Sequence, residues 1–240
     1  MDSTLIIDTR VEADPLVSFL VPVYNEKDSV LAVLKALALF PKSHEIILVD
    51  DGSTDGTRNV LRGVTDLGIA IYFHAQNGGK GAAIRTAAEF VRGRYIAIQD
   101  ADLEYDPSEY LGHLTVARRD RMPAVFGSRF LTENPSLYRR FRWGNILMTE
   151  WINFLSGGKF TDCYTGSKMI ETSLFKNLNL KSSGFEMEAE ICVKLLHRGV
   201  KPVEVPIRYR PRSLADGKKI GWKDFFLGLR ATYHYHFHPY

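Results

Sequence analysis

The chain has 240 residues, 45% apolar and 25% charged, with 31 Lys and Arg against 28 Asp and Glu for a net charge of +3. This is the composition of a folded globular protein with a large core, and it excludes a disordered, collagen-like or cysteine-stapled chain. The near-neutral balance gives no ground for nucleic-acid binding. No apolar run approaches the roughly 20 residues of a membrane-crossing helix. No cationic, apolar leader stands at the N-terminus, so neither export nor a helical anchor is expected. Cys163 and Cys192 make no disulfide framework and suit a reducing compartment, as small buried residues.

Short Val- and Ile-rich runs alternate with helix-period segments through the first half. Val17–Val21, Glu45–Val49, Ile69–Phe73, Tyr95–Gln99 and Ala124–Phe126 read as strands. Between them, Val30, Leu34 and Leu37 share one face of a first helix. Thr54–Arg62 reads as a second, capped by Ser53 or Thr54, with Gly79–Ala88 as a third. Pro107–Ala117 is a fourth, with proline in its first turn. Such alternation predicts a mainly parallel α/β sheet with helices on both faces, its ligands beyond the carboxyl ends of the strands. In the second half the alternation stops. Leu137–Leu155 is a long helix, Glu186–His197 another, Val203–Arg208 a short strand and Trp222–Phe237 a final amphipathic helix. With no repeat and no low-complexity linker, one domain over residues 1–240 is expected.

Each early strand runs into acid or glycine. The turns are Pro22–Glu26, Asp50–Thr57, Asn77–Gly81 and Asp100–Glu104. A parallel sheet brings all four to one rim, where crowded carboxylates call for a cation or a hydrogen-bonding ligand. Mg²⁺ or Mn²⁺ suits a few carboxylates plus substrate phosphates. Asp28 and Asp55 read equally well as helix caps. The Asn77–Gly81 turn lacks the Ser or Thr that follows the lysine of a P-loop, so it is not read as an ATP site.

Pro22–Glu26, Asp50–Thr57 and Asp100–Asp102 resemble the signature of family 2 glycosyltransferases with the GT-A fold. Gly127–Arg129, Asp162–Lys168 and Gly184–Glu188 follow in that family's order. The branch most similar is the dolichyl-phosphate mannose or glucose synthase type, which loads a hexose onto a polyprenyl phosphate. The resemblance implies that Pro22, Tyr24, Glu26 and Asp51 surround the base and ribose, with Lys80 nearby and Asp100 facing the nucleoside. It implies that Asp102, with Asp100 and Glu104, holds the metal; relatives often carry glutamine at the Glu104 position. Arg129 would approach the diphosphate or the acceptor phosphate, and Asp162 would lie near the sugar. Residues from about 15 to 130 would then bind the nucleotide sugar, and residues 131–240 would face the acceptor.

Elementary chemistry agrees. Departure of a nucleoside diphosphate develops negative charge that a metal and an arginine fork stabilise. The sugar becomes oxocarbenium-like beside a carboxylate such as Asp162. In-line attack inverts the anomeric centre. A hydroxyl acceptor needs a general base, whereas a phosphate monoester, with a second pKa of about 6, does not. Two basic clusters suit an acceptor phosphate: Arg140 and Arg142 at the start of an apolar helix, and Arg208, Arg210, Arg212, Lys218 and Lys219. The last helix carries a stripe of Trp222, Phe225, Leu229, Tyr233 and Phe237, suited to a membrane interface, the protein core or a twin subunit in a homodimer. His234, His236 and His238 read as a ragged chain end rather than a metal tract. The expectation is an inverting, metal-dependent transferase. It moves glucose or mannose from a UDP- or GDP-hexose to a polyprenyl phosphate, peripherally on the cytoplasmic membrane face. Two alternatives stand beside it: a soluble family 2 enzyme using Asp162, Glu186 or Glu188 as base towards a sugar or glycan hydroxyl, and a nucleotide-sugar-binding protein without catalysis.

Overall fold

The computed structural model describes residues 3–10, 14–64, 68–133, 139–211 and 222–239, with side chains omitted for 3–7, 139–141 and 222–224. Eight strands among them form one sheet: β1 (Ser3–Asp8), β2 (Val17–Val23), β3 (His44–Asp50), β4 (Ile69–His74), β5 (Tyr95–Ile98), β6 (Ala124–Ser128), β7 (Lys168–Glu171) and β8 (Val203–Pro206). Their spatial order is β1-β4-β3-β2-β5-β7-β6-β8. Pairing directions make β2, β3, β4, β5, β6 and β8 point one way, with β1 and β7 reversed.

The period-2 alternation of the strands accounts for the layering. Phe19, Ile46, Leu48, Ile71 and Ala97 face one side, under α1 (Val30–Ala38), α2 (Thr57–Arg62) and α4 (Tyr110–Arg119). Leu20, Ile47, Val49, Ile96 and Ile98 face the other, under α3 (Lys80–Glu89), α5 (Arg139–Ser156), α6 (Thr172–Asn177) and α7 (Met187–His197). A last helix, α8 (Trp222–Phe237), packs on α5 and α7. There the Trp151 indole N–H donates to the Leu229 carbonyl at 3.4 Å. The phenol oxygen of Tyr164, in the loop before β7, abuts Gly228 of α8 so closely that a Cβ there would collide with it.

The sheet is mainly parallel, as expected, and β1 and β7 join it as antiparallel strands that the alternation of the sequence did not announce. The structure corrects several element bounds. The second helix starts at Thr57, not Thr54. Its preceding residue, Gly56, has φ 101°, and the side chains of Ser53 and Asp55 are engaged with the β2 turn. The strand expected over 203–208 ends at Pro206, and Tyr209 and Arg210 contact Glu104 instead. Pro107–Glu109 forms a 3₁₀ turn ahead of α4. His234 and His236 lie within α8, not on a ragged end. Both cysteines are buried free thiols, as expected.

At the end of the sheet away from the acidic turns, Glu45 is 1% exposed. Its carboxylate accepts from Ser18 Oγ at 2.6 Å, from the Arg92 backbone N–H at 2.7 Å and Nε at 2.9 Å, and from Arg10 Nη1 at 3.2 Å. Burial pushes this carboxyl up, but the hydrogen bonds and the arginines outweigh burial and hold it below the usual glutamate range. Its stabilisation is therefore fully present above the ordinary glutamate pKa and is lost as pH falls through the depressed value. Glu45→Gln is expected to cost about 3 kcal/mol at neutral pH. It should also flatten the fall of Tm below about pH 4.5, as followed by circular dichroism.

Candidate active site

The β2→α1→β3 and β3→α2→β4 connections lie on one face, and β4→α3→β5 returns on the other. The strand order therefore reverses between β2 and β5. Pairing of these strands ends at Leu20 with Ile98, two residues before Pro22, which has no N–H with which to extend it. Beyond that point the chains diverge and the acidic turns flank a crevice.

The turns hold one another. Asn25, at φ 53°, donates its N–H to Ser53 Oγ at 2.8 Å and accepts from the Thr54 N–H at 2.8 Å. The Glu26 N–H donates to Thr57 Oγ1 at 2.9 Å, and the Glu26 carboxylate accepts from Ser29 Oγ at 2.7 Å. Pro22, Tyr24 and Glu26 thus sit on a turn fastened to the next one. Asp51 lies deeper, at 2% exposure. Its carboxylate accepts from the N–H groups of Gly78 and Gly79, the latter at 2.7 Å, and lies 2.7 Å from His74 Nδ1. Asp51 therefore anchors the glycine turn from below. Asp50 is fully buried and pairs with Arg58 Nε at 2.7 Å.

Asp100, Asp102 and Glu104 follow β5. Lys80 Nζ lies 2.8 Å from Asp100 Oδ1 and 3.0 Å from Glu188 Oε1. Burial pushes the Lys80 ammonium down, yet the two carboxylates outweigh it and the net direction is up. Lys80 thus meets Asp100 directly. Asp102 accepts from the Glu104 N–H at 3.1 Å, and both residues are half-buried at the crevice. Glu104 also accepts from the Tyr209 hydroxyl at 2.7 Å, and its carbonyl accepts from the Arg210 N–H at 3.0 Å. Among the described residues no group of three or more His, Cys, Asp or Glu is arranged to hold a metal. Two half-exposed carboxylates on one turn nonetheless fit a hard cation whose remaining ligands come from phosphate and water.

The reversed strand β7 begins at the rim where its neighbours end, so the Asp162–Lys168 loop joins the same site. Asp162 is fully buried and grips Arg129 with a two-pronged pair, Nε to Oδ2 and Nη2 to Oδ1, both 2.7 Å. Burial pushes the Arg129 guanidinium down, but Asp162 outweighs that and holds it charged. Its guanidinium also lies 5.2 Å from the Tyr209 ring. Gly166 packs so tightly that a Cβ would collide with Asp100 Oδ2. Ser167 Oγ lies 3.2 Å from Nε2 of His113, whose ring burial holds neutral with a pKa lowered to about 4.

Lys168, 1% exposed, donates to the carbonyls of Cys163 at 3.0 Å and Thr165 at 2.6 Å, and pairs with Glu188 Oε2. Burial pushes the Glu188 carboxyl up, and Lys168 and Lys80 overcome this and hold it below the usual range. Glu186 accepts from the N–H groups of Ser183 at 3.2 Å and Gly184 at 3.0 Å. Arg85 on α3 donates to the Lys181 carbonyl at 3.0 Å and to that of Ser182.

Of the basic clusters, Arg142 is exposed, with its guanidinium 5.2 Å from the Phe130 ring. Arg208 and Arg210 are exposed, alternating with buried Ile207 and Tyr209. Arg140 belongs to α5 but its side chain lies outside the described residues, as do Arg212, Lys218 and Lys219. Sequence reasoning did not find Arg58, His74 or Tyr209, each of which holds a residue that it did find. The alternation of Ile207 and Tyr209 with arginines was the available signal for Tyr209.

A mixed sheet with an acidic crevice at its switch point is the architecture of the GT-A nucleotide-sugar transferases. Glucosyl-3-phosphoglycerate synthase from Mycobacterium tuberculosis, solved with Mn²⁺, UDP and glucosyl-3-phosphoglycerate, superimposes with a TM-score of 0.67 at 17% identity, over 92% of this chain and 80% of that one. Residues 18–178 match the model of Glycosyl transferase family 2, and the chain belongs to that family. The glycosyltransferase AglJ of Haloferax volcanii is 31% identical over 82% of this chain and 63% of its own length. A dolichyl-phosphate hexose transferase of the same organism is 27% identical over 79% and 81%. The similarity to dolichyl-phosphate sugar transferases extends to the branch named from the motifs. The chain spans 63% of AglJ and about half of two further curated relatives.

Asp162→Asn would leave Arg129 buried beside a neutral amide. The expected cost is about 3 kcal/mol, read as a lower urea midpoint with unchanged slope. Gly166→Ala should push Asp100 aside and cut transfer about a hundredfold while the circular dichroism spectrum is retained.

Proposed function

We propose that the chain transfers a hexose, glucose or mannose, from a UDP- or GDP-sugar to a polyprenyl phosphate, with inversion. The observation that carries the acceptor is the state of the candidate bases. Asp162 is gripped by Arg129, Glu186 is held by two backbone N–H groups, and Glu188 is clamped by two lysines. A hydroxyl acceptor would find each of them engaged, whereas a phosphate monoester arrives largely dianionic and needs no base.

In this reading one domain has two sides. Residues from about 15 to 130 bind the nucleotide sugar, with Pro22, Tyr24 and Glu26 lining the base and ribose side and Asp51 shaping it through the glycine turn. Residues 131–240 face the acceptor. Asp102 and Glu104, with Asp100, would hold Mg²⁺ or Mn²⁺, which supplies positive charge against the departing diphosphate. Arg129, fixed in direction by Asp162, presents its charge to the phosphates. Asp162 acts through that arginine rather than as a base. Arg142 and Arg210 receive the acceptor phosphate, together with Arg140, Arg212 and Lys218.

The outer ridges of α5 and α8 support a lipid-facing side. Trp143 (66%), Leu147 (58%) and Phe154 (80%) are exposed on α5, and Phe226 (59%), Tyr233 (57%) and Phe237 (56%) on α8. Large apolar surface of this kind marks an interaction face. No helix among the described residues is long and apolar enough to cross a membrane. We assign the ridges to peripheral contact with the cytoplasmic membrane face. A homodimer in solution that buries Trp143 and Phe154 would overturn that assignment.

A panel of UDP- and GDP-linked glucose and mannose, offered with a short polyprenyl phosphate or with glycan alcohols, tests the reaction. Transfer to the phosphate is expected; transfer to the alcohols alone would sink the reading. Asp102→Ala should abolish turnover without unfolding the chain. Arg210→Ala should raise the KM for polyprenyl phosphate about tenfold, leaving nucleotide binding unchanged.

A further inference from the structure

Four buried or nearly buried charges form a line that the proposed chemistry does not use as such. Asp100, at the crevice, pairs with Lys80; Lys80 pairs with Glu188; Glu188 pairs with Lys168; and Lys168 holds two carbonyls of the Asp162–Lys168 loop. The Lys80 side chain is 9% exposed, Glu188 4% and Lys168 0%, whereas Asp100 is 21% exposed at the open end. Each Glu188 oxygen takes one lysine, so the two cations are compensated separately.

An ion pair this deep resists losing one member, because the charge left behind is stranded in a poorly solvated place. In the functional reading above, on which this inference rests, Asp100 must turn to the nucleotide diphosphate and its metal. If Asp100 were the only anion beside Lys80, that turn would leave the ammonium buried and unpaired. Glu188 Oε1, at 3.0 Å, removes the penalty because Lys80 keeps one carboxylate whatever Asp100 does.

We propose that Glu188 is a positioning residue that keeps Lys80 compensated while Asp100 engages the nucleotide diphosphate. This assigns Glu188 a part other than that of general base. It also explains why a second lysine is present, since Lys168 balances the charge that Glu188 brings into the core. Glu188→Gln would lock Lys80 onto Asp100. The double variant Glu188→Gln/Lys168→Gln restores the charge balance of the core but not the second anion beside Lys80.

The experiment titrates UDP and GDP in Mn²⁺ into the unsubstituted protein, the single variant and the double variant, with Tm recorded for each. Glu188→Gln should weaken binding of the recognised nucleotide about tenfold. The double variant should recover Tm and remain as weak a binder. Where the single variant does not fold, the double variant alone decides. Wild-type affinity in the single variant, or joint recovery of Tm and affinity in the double, would overturn the proposal and leave the functional reading standing. Failure of the unsubstituted protein to bind either nucleotide would overturn that reading and this inference with it.

Discussion

Carboxylates gathered at one end of a sheet repel each other, and none can be buried there without a counter-charge or an N–H donor. The structure meets that constraint group by group. Asp51 takes the N–H groups of the glycine turn, Asp50 takes Arg58, Asp100 takes Lys80, and Asp162 takes Arg129. Each compensation also fastens one turn to another, so the rim is rigid for the same reason that it is tolerable. Asp102 and Glu104 lie half-buried at the same rim, Asp102 accepting from the Glu104 N–H and Glu104 from the Tyr209 hydroxyl.

The arginines are also held by contacts of a different kind. Phe130 and Tyr209 bring π faces to the guanidiniums of Arg129 and Arg142, while Ile207 and Tyr209 fix the segment that carries Arg208 and Arg210. Aromatic support orients an arginine without supplying counter-charge itself; Arg129 takes its counter-charge from Asp162. The same segment touches the Asp100–Glu104 turn through Tyr209 and Arg210.

Much of this was legible in the chain. The short apolar runs Val17–Val21, Glu45–Val49 and Ile69–Phe73 announced buried strands, and the acids and glycines after them announced the rim. The motif residues Arg129 and Asp162 were named, but not their grip on each other. Residues that far apart in sequence meet only through β7, whose four residues begin with a buried lysine and carry no strand-like pattern. Lys80 was named from the resemblance without its ion pair to Glu188, which comes from the other half of the chain. Asp51 was named from the resemblance, but its grip on the N–H groups of Gly78 and Gly79 was not legible, because a carboxylate's backbone partners depend on how distant turns meet. The start of α2 was misplaced for a similar reason, the polar side chains of 53–55 being taken by a neighbouring turn rather than by a helix end.

The reversed strand β7 also bears on the order in which the molecule assembles. Its pairing with β5 joins residues as distant as Tyr95 and Glu171, whereas the β2–β3 and β3–β4 pairings close shorter loops. Loop closure of that length costs more chain entropy and slows formation. The β2–β5 pairing that flanks the crevice, Val17 with Tyr95, spans a stretch just as long. The acidic crevice and the arginine clamp beside it therefore both depend on pairings between segments far apart in the chain, and neither is complete in a partly assembled sheet.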